Sequence, residues 1–299
     1  MEKNQNPIRT IKTKYRSIEC FVTGVENLDE KTVKSFAQEW KNFHSFNIDE
    51  IDKIGNQYFD IVNEDMMNKD SIVIDIGCGS GRWTQYVHNK VKYVVAIDPS
   101  KSILQADKLL RNAQNVELCQ VSISNIPFED RSFDFAFCLG VLHHLPNPEQ
   151  GIRACVNKLK IGGYFLTYIY YNLDNRGILY RAIFMISDLV RGTISKLPSV
   201  PKKMLCSLLS IIVYLPFVLL SRTLKSIGVQ KDVRRKIPLN FYEDKSFYVI
   251  RNDSLDRFGT PLEKRFSKNQ IQQMLQNAEL TDINFSENPP YWHVVGRKK

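Results

Sequence analysis

Residues 72–82 read IVIDIGCGSGR and constrain the fold more than any other part of the chain. A short run of β-branched residues predicts a buried strand, and glycines directly after it let the backbone turn sharply and approach a ligand. The strand is predicted over 72–76 and a helix over 82–88. A second apolar run, 93–97, is followed by Asp98, which is placed to bind two ribose hydroxyls. The pattern therefore predicts a nucleoside-like ligand beside two strand ends.

The glycine spacing narrows the class of nucleotide. A dinucleotide site requires G-x-G-x-x-G, which rests a pyrophosphate on the start of the following helix. This chain has G-x-G-x-G, at Gly77, Gly79 and Gly81, with Arg82 where the third glycine of the dinucleotide pattern would stand. A ribose is implied and a pyrophosphate is not.

Five segments in order carry a resemblance to a known family: IDIGCGSGR, VVAIDPS, IPFEDRSFDFAF, LGVLHHLPNP and LKIGGYF. Together they resemble the class I S-adenosylmethionine-dependent methyltransferases over residues 70–171, and the last 35 residues match loosely. The glycines alone would also fit a structural turn in an unrelated α/β protein. The resemblance implies a doubly wound, mostly parallel, seven-stranded Rossmann-like α/β sheet. It also implies an antiparallel last strand, and the chain has a helical insertion after strand five.

The resemblance also implies which residues bind the cofactor S-adenosylmethionine. The glycine loop would line its methionine part, Asp75 would face its ammonium group, and Asp98 would hold the ribose. Where the family usually has an Asp for the adenine amino group, this chain has Ser122, so the adenine contact would depend more on the Ile123 backbone. The full implied set is Asp75, Gly77, Cys78, Gly79, Gly81, Asp98, Pro99, Ser122, Ile123 and Leu139.

His143 and His144 follow the predicted fourth strand, at the sheet edge where ligands bind in such folds. An imidazole with a near-neutral pKa suits removal of a hydroxyl proton. The resemblance to small-molecule and sugar O-methyltransferases implies that one of the pair acts as the catalytic base. The alternative is that both pack the following helix start or bind a carbonyl group. Ile169 stands where some of those enzymes carry an acid.

The chain divides into four predicted segments. They are an N-terminal helical extension (1–69), the cofactor-binding core (70–171), a basic and apolar helical insertion (172–266), and a C-terminal helix with closing strands (267–299). The six cysteines show no metal-ligand spacing, and several lie in apolar strands, which indicates a reducing compartment. The polar N-terminus lacks the apolar region of a secretory signal. We therefore expect a cytoplasmic enzyme without a bound metal.

The insertion combines positive charge with apolar helices. From 174 to 240 it has twelve Lys or Arg against three Asp, whereas the rest of the chain balances at 29 of each sign. Residues 204–221 carry no charge, and basic residues flank them. A single membrane crossing would separate the C-terminal strands from their sheet. Two alternatives remain: a helical pair lying peripherally on the inner, anionic membrane face, or a lid over the active site.

Three classes of function stay open. The favoured class is a methyltransferase that acts on a small-molecule, lipid, lipid-linked or glycan acceptor, by O-methylation. An RNA methyltransferase fits the basic surplus, but the basic residues alternate with aliphatic runs instead of stacking aromatics, which argues against nucleic acid. A non-catalytic cofactor-binding protein is the third. The sequence leaves open the oligomeric state and whether oxygen, nitrogen or carbon receives the methyl group.

Overall fold

Nine strands and eleven α-helices form in residues 1–22, 26–40, 48–174 and 177–299, which the computed structural model describes. The strands are β1 (Arg9–Lys12), β2 (Ser17–Cys20), β3 (Ile72–Ile76), β4 (Tyr93–Ile97), β5 (Val116–Gln120), β6 (Phe133–Leu139), β7 (Leu159–Tyr168), β8 (Leu280–Phe285) and β9 (His293–Lys298). The helices are α1 (Glu30–Trp40), α2 (Ile48–Tyr58), α3 (Arg82–Val87), α4 (Ile103–Leu109), α5 (Pro148–Asn157), α6 (Ile178–Ile194), α7 (Ser199–Leu209), α8 (Leu215–Ser226), α9 (Lys231–Arg234), α10 (Phe247–Gly259) and α11 (Lys268–Asn277).

The strands form one sheet in the order β1-β2-β5-β4-β3-β6-β7-β9-β8. From β2 to β7 every neighbouring pair is parallel, and β9 pairs antiparallel with β7 and with β8. This confirms the predicted doubly wound sheet with an antiparallel closing strand. The carboxyl ends of β3, β4, β5 and β6 lie at one edge, which is where such sheets bind ligands.

The strand count is nine instead of the predicted seven because the N-terminal segment contributes a hairpin. β1 and β2 pair antiparallel, and β2 then pairs with β5. Arg16, beside the hairpin turn, forms a salt bridge of 3.0 Å to the buried Asp107 and donates to the Val116 carbonyl. These contacts hold the hairpin on the sheet edge. Helices follow later in the same segment, in α1 and α2, while residues 23–25 and 41–47 lie outside the described residues.

Successive side chains of the central strands point to opposite faces of the sheet and form an apolar layer on each face. In β3, Ile74 and Ile76 face one layer, which α5 and α11 cover, and Val73 faces the other. Helices α2, α3 and α4 cover that second layer. Because side chains alternate across a strand, a run of consecutive apolar residues is what a sheet buried on both faces requires.

The chain divides into two compact units. Residues 1–172 and 262–299 form the sheet unit, and residues 173–261 form the helical unit, which holds α6 to α10. The helical unit has its own small core, built from Ile194, Cys206, Tyr214, Val218, Ile250 and Phe258.

The sequence Ser267-Lys268-Asn269-Gln270 predicts a capping box at a helix start, and the start of α11 shows it. The Ser267 hydroxyl accepts a hydrogen bond from the Gln270 backbone N–H at 3.2 Å, and the Gln270 side chain accepts one from the Ser267 N–H at 2.9 Å. These bonds satisfy two backbone donors that a helix start would otherwise leave exposed. Helix α11 then buries Ile271 and Leu275 against the sheet.

We expect Ser267→Ala to lower the free energy of unfolding by about 1 kcal/mol, because the helix loses one side-chain acceptor. Urea unfolding monitored by circular dichroism measures this change. Ser267→Asp is the matched control, since aspartate also caps helices, and should stay within about 0.5 kcal/mol of the wild type. An equal loss in both variants would contradict the capping role.

Candidate active site

The glycine loop after β3 has a backbone that side chains would disrupt. Gly77 and Gly81 have φ values of +80° and +81°. A Cβ atom at Gly77 would lie 2.5 Å from Val141 Cγ2, and one at Gly81 would lie 2.9 Å from Ala106 Cβ. Glycine therefore meets two requirements at once, the left-handed backbone and the close approach of α4 and of Val141, which follows β6.

Asp98, directly after β4, fixes this loop. One carboxylate oxygen accepts the Gly79 backbone N–H at 3.0 Å. The other accepts the Ser100 N–H at 2.8 Å and the Ser100 hydroxyl at 2.6 Å, with the Ser102 hydroxyl at 3.2 Å. Burial raises the pKa of Asp98, and these hydrogen bonds oppose that rise. The oxygen that holds Gly79 keeps room for a further donor, because a carboxylate oxygen accepts two hydrogen bonds.

Asp75 lies within β3, fully buried beneath the loop. Its carboxylate accepts a hydrogen bond of 2.5 Å from the Thr84 hydroxyl in α3. Burial raises the pKa of Asp75 to about 7, and the nearby Asp98 adds to that rise. A carboxyl group with such a pKa gains from a positively charged partner, because a cation stabilises its ionised form.

Two serine hydroxyls at this edge are buried and have no hydrogen-bond partner among the described residues. Ser80 lies inside the glycine loop, and Ser122 follows β5 and is 0 % exposed. Buried polar atoms normally have a hydrogen-bond partner. Each of these two hydroxyls therefore marks a place where a ligand atom can supply the missing hydrogen bond. The two sit on the loops that the resemblance assigns to the two ends of the cofactor.

The remaining residues of the implied cofactor set lie at the same edge. Pro99 follows Asp98, and its carbonyl oxygen accepts a hydrogen bond from the Gln120 side chain. Ile123 begins the short 3₁₀ turn after β5, and Leu139 ends β6. Cys78 is buried in the glycine loop, and burial raises the pKa of its thiol well above the usual range.

His143 and His144 lie in a 3₁₀ turn directly after β6, both buried, with ring centroids 4.0 Å apart. His144 Nδ1 lies 2.7 Å from the Leu262 carbonyl oxygen. His143 Nδ1 lies 3.4 Å from the Tyr170 backbone nitrogen, whose N–H can only donate. The Nε2 atoms of both rings are buried without a partner in the described part of the chain.

Aromatic and cationic groups surround the histidine pair. The Tyr170 ring stacks on His143 at 3.7 Å between centroids, and the Arg265 guanidinium lies 4.9 Å from the Tyr170 ring centroid. Phe36 of α1 meets the edge of His144. Burial, the second histidine and Arg265 lower the pKa of His143 well below the usual range, so its ring stays neutral.

Ile169 contributes nothing polar to the site. It is fully buried in the apolar layer, at the position where some relatives of this type were expected to carry an acid. Near it, Tyr168 ends β7, and its ring contacts Tyr58 of α2 at 5.2 Å. Tyr58 also packs on Trp83 at 4.7 Å, so three rings form an aromatic wall at the strand ends.

Several of these residues were missed by the sequence analysis. Ser80 and Thr84 stand in or just after the glycine loop, and their polarity beside a buried strand was a usable signal. Nothing in the sequence indicated that the Leu262 carbonyl and Arg265 belong to the site, because they lie more than 110 residues from the histidines along the chain. Only the three-dimensional fold brings them together.

Comparison with known proteins identifies the domain. Residues 74–167 match a family model described as a methyltransferase domain. The chain is 28 % identical over 183 residues to the ubiquinone biosynthesis O-methyltransferase of Hahella chejuensis, covering 58 % of this chain and 75 % of that one. It is also 28 % identical over 128 residues to the tRNA U34 carboxymethyltransferase of Nautilia profundicola, covering 42 % of this chain and 38 % of that one.

Several relatives are matched over less than half of their own length. Among solved structures, an S-adenosylmethionine-dependent methyltransferase from Aquifex aeolicus aligns with a TM-score of 0.45 at 15 % identity, over 85 % of this chain and 98 % of that one.

The raised pKa of Asp75 predicts how the stability of the protein depends on pH. An ordinary unfolded Asp has a pKa of about 3.9, so between about pH 4 and pH 7 the folded state binds more protons than the unfolded state. The contribution of Asp75 to stability is therefore present below about pH 4 and is lost as the pH rises through about 7.

We expect Asp75→Asn to remove this dependence. Between pH 5 and pH 8 the wild type should lose up to about 3 kcal/mol of stability relative to the variant, as urea unfolding at the two pH values measures. Parallel pH curves for the two proteins would show that the carboxyl titrates normally.

Proposed function

Because the chain is a class I S-adenosylmethionine-dependent methyltransferase, we propose that it methylates a hydroxyl oxygen of a small-molecule acceptor, with His144 as the base. The observation that carries this proposal is the hydrogen bond from His144 Nδ1 to the Leu262 carbonyl. The relatives named as ubiquinone biosynthesis O-methyltransferases support oxygen as the methylated atom.

The residues at the strand ends fit the cofactor. Asp75, buried with a raised pKa, would pair with the ammonium group of the cofactor. Asp98 would accept a ribose hydroxyl on the oxygen that already holds Gly79, and the orphaned Ser122 hydroxyl would bind the adenine edge. Ser80 would bind near the methionine part. When bound, the cofactor supplies a methyl group on a positively charged sulfur.

The Leu262 carbonyl decides the tautomer of His144. A carbonyl oxygen only accepts hydrogen bonds, so Nδ1 must carry the hydrogen. A neutral imidazole has one N–H, so Nε2 holds a lone pair, and this atom has no partner within the described chain. A base needs this arrangement: a free lone pair held by a fixed orienting bond on the opposite nitrogen.

His143 has the opposite tautomer. Its Nδ1 accepts from the Tyr170 backbone N–H, so Nε2 carries the hydrogen and can only donate. Its lowered pKa keeps the ring neutral. We assign His143 to donate a hydrogen bond to the acceptor oxygen, while His144 takes the proton.

The reaction then needs little else from the protein. His144 Nε2 would take the proton that the acceptor hydroxyl loses when the bound cofactor supplies its methyl group to the oxygen and keeps the carbon–sulfur bond electrons as a neutral sulfide. The proton later leaves to water. The main contribution of the chain is to hold the acceptor in line with the methyl group and to exclude water, which the buried histidines and the aromatic wall both favour.

For the acceptor class, we assign a lipid or lipid-linked small molecule, and for the location, the cytoplasm with peripheral binding at the inner membrane face. The support comes from the helical unit, which is basic and exposes large apolar side chains. An RNA acceptor is the competing assignment, because relatives named as tRNA-modifying enzymes exist.

Label transfer tests the acceptor. The purified protein is incubated with methyl-labelled S-adenosylmethionine and a host extract split into lipid, small-polar and RNA fractions. We expect label in the lipid fraction. Label in the small-polar fraction would keep a small-molecule acceptor and replace the lipid by a soluble compound such as a glycan, and label in RNA would overturn the proposal.

Substitution of the base tests the mechanism. We expect His144→Ala to lower kcat by a factor of about 10² to 10⁴, the usual contribution of a positioned base. S-adenosylmethionine affinity, measured by calorimetry, should stay unchanged. His88→Ala is the matched control, because His88 lies in the 3₁₀ turn after α3, away from the carboxyl edge. Full activity of His144→Ala would assign the base to another residue.

A further inference from the structure

The helical unit is a single excursion of the chain from the sheet unit. The backbone N–H of Asn172, the last residue before it, donates to the Phe266 carbonyl at 3.0 Å. Tyr171 and Phe266 also pair as an isolated parallel bridge. The chain therefore leaves and returns at nearly one point, and residues 262–299 rejoin the sheet through β8 and β9.

One helix in this unit is long and apolar. Residues Ser199–Ser226 run continuously through α7, a π-helical turn (Ser210–Tyr214) and α8, and an 18-residue window of this helix has a mean hydropathy of 2.3. Among the described residues, this is the one helix that could span a membrane by length and composition. Its buried residues recur every three or four positions: Cys206, Ser210, Tyr214, Val218 and Ser221.

Within the described residues, the opposite side of this helix is largely exposed. A helix that is apolar on all sides needs burial on all sides, but only 28 % of its apolar window is buried. Helix α6 repeats the pattern, since Ile194 joins the small core while residues nearer its centre are exposed. We define the apolar face by six side chains that are 49–76 % exposed: Met185, Leu189, Met204, Leu208, Ile211 and Ile212.

Contacts within the unit argue against a membrane crossing. At the end of α8 the Ser221 hydroxyl donates to the Glu243 carboxylate at 2.5 Å, and Glu243 forms a buried salt bridge of 2.9 Å with Arg234. The Arg222 guanidinium donates to the Glu243 and Lys245 carbonyls. This polar network holds the helix end in an aqueous setting, because ion pairs are costly at bilayer depth.

Helix α6 cannot supply the return crossing. Asp188 lies near its middle and forms salt bridges with Arg191 and Arg257. With one crossing excluded by the adjacent ends of the unit, and a second by these charges, the apolar face must be covered by something that the helices lie against.

The positive charge of the helical unit indicates which kind of surface its apolar face binds. Residues 173–261 carry 15 Lys and Arg against 7 Asp and Glu, whereas the rest of the chain is nearly balanced. Exposed basic residues outside the Glu243 network lie at Lys196, Lys231, Arg235 and Lys236. An apolar face with basic flanks matches the boundary of an anionic bilayer, where apolar groups enter the acyl layer and cations meet the headgroups.

We propose that the helical unit is a membrane-docking element, whose apolar face inserts shallowly into an anionic bilayer and whose exposed basic residues bind the lipid headgroups. It rests on and deepens the proposed function, because docking would bring the chain to the membrane that holds a lipid-linked acceptor. The docking itself does not depend on the chemistry and can be measured without turnover.

Co-sedimentation with vesicles tests the docking. The full chain is mixed at low salt with vesicles of phosphatidylcholine alone or with one third phosphatidylglycerol. We expect binding to the anionic vesicles, weakened by salt, and much weaker binding to phosphatidylcholine. The double variant Ile211→Glu with Ile212→Glu should bind at least tenfold more weakly. Lys231→Gln with Lys236→Gln should reduce the salt dependence.

Controls separate docking from folding and from cofactor binding. Ile161→Glu places the same change on an exposed residue of the sheet unit and should leave vesicle binding intact. All variants should keep the melting temperature and the S-adenosylmethionine affinity of the wild type. Loss of cofactor binding in the wild type would overturn the proposed function and leave docking standing.

Three results would overturn the docking proposal. One is failure of the wild type to bind anionic vesicles at low salt. The second is self-association that the Ile211 and Ile212 substitutions abolish without any vesicle binding, which would assign the apolar face to a second copy of the chain. The third is a large fall in melting temperature in the double variant together with unchanged vesicle binding, which would assign the face to packing within the chain.

Discussion

The hydrogen bond from the Gly79 N–H to the Asp98 carboxylate joins the ends of two adjacent strands and, with the bonds from Gly77 and Cys78 N–H to the Ile97 carbonyl, fixes the glycine loop of the candidate site. The glycine loop has left-handed residues that gain nothing from regular secondary structure, so an external acceptor must hold it. Ser100 and Ser102 orient that acceptor in turn. The cost of burying Asp98 is thus offset by four donors, and the loop is fixed before any ligand arrives.

The same edge of the sheet holds two different electrostatic environments, one around the buried carboxylates and one around the histidine pair. Around Asp75 and Asp98 two buried carboxylates lie close together, which favours a cationic ligand. Around His143 and His144 the rings are buried among aromatic side chains, burial lowers the pKa of His143, and the Nδ1 atom of each ring meets one backbone group. A positively charged methyl donor and an acceptor that must lose a proton need these two different surroundings next to each other.

The sequence predicts the sheet well because its central strands are buried on both faces and read as unbroken apolar runs. It also predicts the capping box, since that signal is local. The sequence analysis did not predict the N-terminal hairpin because β1 and β2 are only four residues each. They form strands by pairing with each other and, for β2, with β5. The proposed tautomers of the two histidines could not be predicted from the sequence for a related reason. They depend on Leu262 and Tyr170, whose positions are set by chain segments far away in sequence.

One of those distant segments is the end of the predicted insertion, which lies beside the two histidines. The stretch that ends the insertion, Leu262–Phe266, belongs to the sheet unit and runs beside the histidine turn. Its first carbonyl orients His144, and its Lys264 N–H donates to the His143 carbonyl at 2.9 Å. A shift of this stretch by about one ångström would break the hydrogen bond between His144 Nδ1 and the Leu262 carbonyl, because the two atoms would then lie beyond hydrogen-bond distance. The stretch through which the chain re-enters the sheet unit is therefore also the stretch that orients His144, the proposed base.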